Sequence, residues 1–182
     1  ISRSISFQEP FAYLGGEKDF TTIEGELRQY FSLADAHTII PRLSVFWGTD
    51  SLPAPDKFYL GGYFNEKKYH ERGVYNYISF IGLPPRELSG SALIKSELKY
   101  RLKLRRNMYA FFQTNVCHLS PSYKWNRTFF STVIAGTGAG LEYASLIGPL
   151  RCAWGKTVYT HTGRQYSIEK PHSLYFSAGY TF

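Results

Sequence analysis

Alternation with a period of two runs through most of this 182-residue chain. It predicts an all-β fold, a transmembrane antiparallel up-and-down β-barrel of about eight strands. Three observations carry that prediction. In several segments the charges fall on one face of the alternation and the apolar residues on the other. Aromatic residues make up 18% of the chain, with 15 Tyr and 14 Phe, although mean hydropathy is only −0.27. Short and long connections alternate between the segments. No run of about 18 apolar residues occurs, which excludes a membrane-spanning helix. A barrel wall turns only every second residue to lipid, so its average hydropathy stays near neutral. Tyr and Phe in this amount suit aromatic girdles at two membrane interfaces. A soluble, Tyr-rich β-sandwich fits the composition alone equally well.

The first candidate strand, 1–14, places Ile5, Phe7, Phe11 and Tyr13 on one side. Glu9 and Pro10 interrupt it, so an edge, a seam or a bent strand is expected. In 22–33, Ile23, Gly25, Leu27, Phe31 and Leu33 oppose Glu24, Glu26, Arg28, Tyr30 and Ser32. In 38–48, Ile39, Leu43, Val45 and Trp47 oppose Arg42, Ser44 and Phe46. In 91–102, Ala92, Ile94, Leu98, Tyr100 and Leu102 oppose Lys95, Glu97, Lys99 and Arg101. A helix would scatter these charges around its circumference. The next strand, 108–117, puts Ala110, Phe112, Thr114 and Val116 on one face. In 129–145, Gly136, Gly138 and Gly140 lie opposite Val133, Ala135, Ala139, Leu141 and Tyr143. Glycines spaced by two leave one face bare, permitting tight curvature or close approach of packed side chains. They make no dinucleotide fingerprint, because the third Gly has the wrong spacing and no helix follows. Segment 150–158 is a weaker strand, since Lys156 falls on its apolar face.

The last strand, 173–182, sets Leu174, Phe176, Ala178, Tyr180 and Phe182 against Tyr175, Ser177, Gly179 and Thr181. A final alternating strand with a C-terminal aromatic is how bacterial outer-membrane barrels end. Phe176, Gly179, Tyr180 and Phe182 are therefore the candidate insertion signal. Connections at 33–37, 104–107 and 146–149 are short, and those at 15–19, 50–87, 118–127 and 160–172 are longer. Short periplasmic turns opposite long external loops are the layout of such barrels, and an even strand count puts both termini in the periplasm. Ile1 opens directly into β-patterned sequence, so a mature or truncated chain is expected. One domain, 1–182, is expected, with a long inserted loop at 50–87. Its Gly61–Gly62 pair and five aromatic residues between Phe58 and Tyr69 favour an ordered plug or lid over a disordered loop.

Net charge is +7, yet Lys and Arg do not cluster with aromatics as a nucleic-acid stripe would, so no nucleic acid is expected. Anionic headgroups or lipopolysaccharide phosphates are the more economical partners for basic loop residues. Cys117 and Cys152 are too few for a disulfide framework and map to different strand ends, so no bridge is expected. The chain holds no Gly-x-Ser-x-Gly elbow, HExxH, CxxC or P-loop. Ser96 and Lys99 form a Ser-x-x-Lys pattern, but on a strand they face opposite sides. His37, His70, His118, His161 and His172 fall in expected turns or loops without metal-ligand spacing. No catalytic residue, metal or cofactor is expected, and the chain is read as non-enzymatic. Glu24, Glu26, Glu97 and Glu142 should face the lumen with Arg28, Arg42, Lys95, Lys99, Arg101 and Arg151, as an ion network filling a narrow barrel.

The order KFYLGG, FIGLPPRELSGSALIKSELKYRL, GTGAGLEYASLIGPLRCAWGK and YFSAGYTF resembles the C-terminal half of the bacterial surface antigen superfamily. Those are the BamA/TamA-like barrels of outer-membrane assembly and the barrels of two-partner secretion. The resemblance covers most of the chain from Lys57 onward. The nearest flavour is the barrel of patatin-like outer-membrane proteins of Bacteroidetes type, around YNYISFIGL. Assembly-type barrels carry V-R-G-F/Y straight after the Gly pair, with its Arg in the lumen. Here Arg72-Gly73-Val74 is displaced downstream of Gly61 and Gly62 and lacks the aromatic, which tilts toward the patatin-like branch.

The resemblance implies an outer-membrane barrel that anchors, and helps translocate, a phospholipase domain upstream of Ile1. It implies outer-membrane lipid, lipopolysaccharide and, during insertion, the barrel-assembly machinery as partners. Relatives use sixteen strands, so eight strands mean a closed small barrel, half of a larger barrel completed by a second copy, or a fragment. A homodimer, or pairing with another outer-membrane protein, is thus open. The alternative class is a stand-alone barrel acting as an assembly-type translocase, an adhesin or a structural subunit through its long loops. A soluble sugar- or lipid-binding barrel, stable without detergent, is the third.

Overall fold

The computed structural model describes residues 2–8, 21–49, 57–63, 77–120, 132–145, 148–161 and 172–179. Eight strands form an antiparallel meander in which each pairs with the next. They are β1 (Ser2–Gln8), β2 (Thr22–Arg28), β4 (His37–Gly48), β8 (Ala92–Arg105), β9 (Met108–Ser120), β10 (Thr132–Ser145), β11 (Gly148–His161) and β12 (His172–Ala178). A short strand, β3 (Phe31–Ala34), also pairs with β4. Three more, β5 (Phe58–Leu60), β6 (Tyr77–Ile78) and β7 (Leu88–Gly90), make a separate small sheet. The tight connections 35–36 and 106–107 and the ladder pair Ser145–Gly148 lie at one end of the meander, here the turn end; the opposite end is the loop end.

The alternation in the sequence becomes the two faces of this sheet. Leu27, Leu43, Leu98, Phe112, Leu141, Trp154, Leu174 and Phe176 stand exposed on the outer face, Phe176 at 70%. In water so much exposed apolar surface would be costly; in hydrocarbon it is the favoured arrangement. The opposite face carries most of the buried polar wall residues, among them Ser44, Lys95, Gln113 and Asn115.

Several expectations need correcting. Segment 22–33 is two strands, broken at Gln29 and Tyr30. Across the break lies Pro41 of β4; its carbonyl accepts from the Gln29 N–H at 3.1 Å, but it has no N–H to return the bond. Strand 1–14 is a ladder only over Ser2–Gln8, and its continuation lies outside the described residues. Strand 108–117 runs on to Ser120, and 150–158 extends at both ends. His37, His118, His161 and His172 therefore lie in strands rather than loops, while His70 lies outside the described residues. Cys117 is buried on the inner face and Cys152 exposed on the outer, so both are free thiols on opposite sides of the sheet. Among the described residues β1 pairs only with β2, and β12 only with β11. The sheet is an open wall of eight strands; closure into a barrel within the chain is not formed by the described residues.

The largest addition concerns the insertion at 50–87. Its described parts fold onto the inner face of the wall near the loop end. Phe58, Leu60, Ile78, Phe80, Leu83 and Leu88 form one buried cluster with Leu93, Cys117, Leu119 and Ile134 of the wall. Phe46 of β4 packs against it, its ring 5.5 Å from that of Phe58.

Candidate functional site: the seat of the insertion

The small sheet holds its own turn first. β5 runs parallel to β6 and antiparallel to β7, and the Gly pair follows β5 directly. Gly62 has φ +69°, the left-handed region, and a Cβ there would overlap the Tyr77 hydroxyl. Its N–H donates to Leu83 O at 2.9 Å and its carbonyl accepts from the Phe80 N–H at 2.6 Å. The Gly pair of the sequence thus closes the turn 79–83 that faces the wall. Arg72 and Gly73, the rest of the expected loop motif, lie outside the described residues.

The wall receives that turn on the glycine track of β10. A Cβ at Gly136 would overlap the Ile81 carbonyl oxygen, and one at Gly138 would overlap the Ile81 side chain. Gly155 of β11 belongs to the same track: its Cβ would lie 2.6 Å from the Gly82 nitrogen. A β-bulge between Ala135 and Gly136 shifts the ladder with β11 at this height. Close approach of two backbones, rather than curvature alone, is what the glycines permit.

Polar side chains from four strands then bind the turn's backbone. Tyr175 of β12 accepts from the Gly82 N–H at 2.9 Å and donates to Leu83 O at 2.7 Å. Thr157 of β11 donates to Gly82 O at 2.8 Å. Asn115 of β9 fits with its amide nitrogen donating to Gly136 O and its oxygen accepting from the Ile81 N–H, each at 2.9 Å. Lys95 of β8 donates to Ser79 O at 2.8 Å. Tyr63 donates to Gln113 Oε1 at 2.8 Å and stacks on Phe111, ring centroids 5.3 Å apart. These are buried partners, so each satisfies a group that would otherwise be costly to bury. Burial pushes the Tyr77 phenol up to about 12; Tyr175 adds to the rise and Arg86 opposes it.

Below the seat, toward the turn end, the inner face is charged. Glu26 bridges Arg42 at 2.6 Å and Arg28 at 3.2 Å. Glu97 stands directly across from Arg42 and pairs with Lys95 at 3.0 Å. Glu142 pairs with Lys99 at 2.7 Å and Arg101 at 3.2 Å, with Arg151 directly across the ladder. Cations outnumber carboxylates in this set, and aromatic faces take up the excess. Lys99 Nζ lies 4.3 Å from the Phe111 ring centroid, and the Arg101 guanidinium 3.8 Å from that of Tyr109. Glu24 is buried on the same face, farther toward the loop end.

The ten charged candidates therefore share the inner face of the wall. Ser96 and Lys99 take opposite faces; Lys99 is committed to Glu142. Of the terminal signal, Phe176 points outward, and Gly179 has φ +94° with its N–H donating to Pro149 O at 3.2 Å. Tyr180 and Phe182 lie outside the described residues. Sequence reasoning missed Tyr175, Asn115, Gln113, Thr157 and Ser79. A signal existed for the wall residues: each holds an inward slot of its strand near the bare glycine face. Among the described residues no His, Cys, Asp and Glu group converges as a metal site. What the arrangement can do is hold the insertion against the inside of the wall.

Compared with protein-family models, residues 2–182 match the Omp85 superfamily domain. No curated protein matches the chain.

Proposed function

The chain belongs to the Omp85 superfamily, and from that premise we propose that it anchors an attached patatin-like phospholipase domain and helps pass it across the outer membrane. The coarser reading is an outer-membrane β-barrel of the insertion and translocation type. Its lipid face is the apolar outer face of the wall, and outer-membrane lipid is its surroundings. In the finer reading the turn end and both termini are periplasmic, the loop end is external, and the seated insertion restricts the lumen.

What favours the patatin-like branch is the sequence itself: Arg72-Gly73-Val74 stands downstream of Gly61 and Gly62 and lacks the aromatic that assembly-type barrels carry there. The test is hydrolysis of a fluorescent phospholipid by the full-length protein, with external protease to report exposure of the attached domain in cells. Lipase activity with an exposed domain supports the reading. A full-length protein without lipase activity ends the patatin assignment and leaves the barrel; depletion that lowers other outer-membrane barrels then favours the assembly role. Deleting Phe182 should impair insertion if the terminal residues are the insertion signal.

A second reading concerns closure. Open edges at β1 and β12 cannot stay unpaired in hydrocarbon. Two copies combining into a sixteen-stranded barrel would pair them. A monomeric mass in detergent, with β1 and β12 cross-linked within one chain, would refute it.

A further inference from the structure

Outward positions of β11 read Leu150, Cys152, Trp154, Lys156 and Val158, four apolar groups and one cation. Lys156 is exposed and forms no ion pair among the described residues. Its ladder neighbours are His172 of β12 and Thr137 of β10, neither of which carries negative charge. The Thr137 hydroxyl already donates to Gln113 O at 3.3 Å. His172 is exposed, and its ring stacks on Trp154 with centroids 5.7 Å apart and planes 24° from parallel. A lysine and a histidine side by side over an indole thus interrupt an apolar face.

Depth says where they sit. Lys156 lies eight residues from Gly148 at the turn end. Eight steps along a tilted strand climb roughly 20 Å of an apolar band about 25 Å tall. The four-carbon stem carries the ammonium the rest of the way to the loop-side interface. An unpaired cation deeper in the band would be increasingly destabilising. At the interface the available anion is the phosphate of a lipid headgroup, and an indole suits that level.

We propose that Lys156 and His172, with Trp154 beneath them, form a binding site for the phosphate of an anionic lipid headgroup. Lys156 supplies charge, the imidazole a hydrogen bond, and Trp154 holds the imidazole and packs against the upper acyl chain. The site is on the lipid face of the wall, apart from the insertion seat.

Brominated phosphatidylglycerol and brominated phosphatidylcholine test it, by quenching of Trp154 in a W47F/W125F protein reconstituted in mixed bilayers. We expect about fivefold enrichment of phosphatidylglycerol at Trp154. K156Q should abolish the preference, K156R should retain it, and H172Q should weaken it by about half. Inorganic phosphate at millimolar concentration should not change the quenching. No preference in the parent, or a preference that survives K156Q, overturns the site; displacement by inorganic phosphate overturns the lipid as its source. If the tryptophan variants do not fold, native mass spectrometry of the otherwise unaltered protein and K156Q reads the same point. Loss of one retained phosphatidylglycerol supports the proposal, and equal retention refutes it.

Discussion

Replacing Gly136 by Ala adds one methyl group at the tightest approach of the insertion to the wall. The new Cβ would overlap the Ile81 carbonyl oxygen and lie 2.9 Å from Phe80 Cε1 and 3.1 Å from the Asn115 side-chain amide. The first of these is backbone and cannot swing aside, so the turn must lift. Overpacking of this kind costs about 1–3 kcal/mol. Lifting also stretches the bonds of Asn115, Thr157 and Tyr175 to the turn, each worth about 0.5–1.5 kcal/mol net. A loss of roughly 2–4 kcal/mol in the closure of the seat raises the open population about 30- to 1000-fold. Cys117 reports this directly, because it is fully buried in the cluster under the insertion. In a C152S background, maleimide labelling of Cys117 in detergent-folded G136A should accelerate by that range. G25A is the matched control, since an added Cβ there meets nothing within 4 Å. Labelling of G136A within threefold of the parent would refute the close-packed seat and the argument built on it.

Tyr175→Phe leaves the Gly82 N–H and Leu83 O without their wall partner, at about 1–3 kcal/mol. Amide exchange should rise in β12 and the turn while β8 and β9 stay protected; unchanged exchange in β12 would show that the hydroxyl does not couple the two. Glu142→Gln removes the shared counter-ion of Lys99 and Arg101. The temperature at which the folded gel form is lost should fall, since stripping a partner from a partly buried pair exceeds the effect at a surface pair. Tyr77 has its folded phenol raised to about 12. The neutral form is the one the fold favours, so its contribution is complete below pH 10 and is lost as pH rises toward 12. The tyrosinate absorbance difference between the protein and Y77F should titrate near 12 when folded and near 10 when unfolded; a single midpoint near 10 in both states would contradict the burial.

The strands were legible because one face of each had to be free of charge. Glu97, Lys99 and Arg101 alternate with Leu98, Tyr100 and Leu102, and no other local structure separates them so completely. The glycine track was legible as a bare inner face at Gly136 and Gly138. The break in 22–33 was not, because its cause is the missing N–H of Pro41 on another strand. The seat was not legible either. An inward Tyr175 looks the same in sequence whether it meets water, a charge or a backbone turn from about ninety positions earlier.

Local alternation, side-chain size and charge by themselves determined an eight-stranded wall with an apolar outside, and placed ten charged residues on its inside. Those properties are periodic along the chain, and a pleated strand converts them into faces without help from distant residues. Tertiary structure alone decided that the insertion lies against the wall, that Tyr175, Asn115, Thr157 and Lys95 hold it, and that both sheet edges are open among the described residues. Each of these is a contact between segments far apart in the chain, where the free energy comes from mutual burial and shared hydrogen bonds. No single segment carries a pattern that encodes its partner.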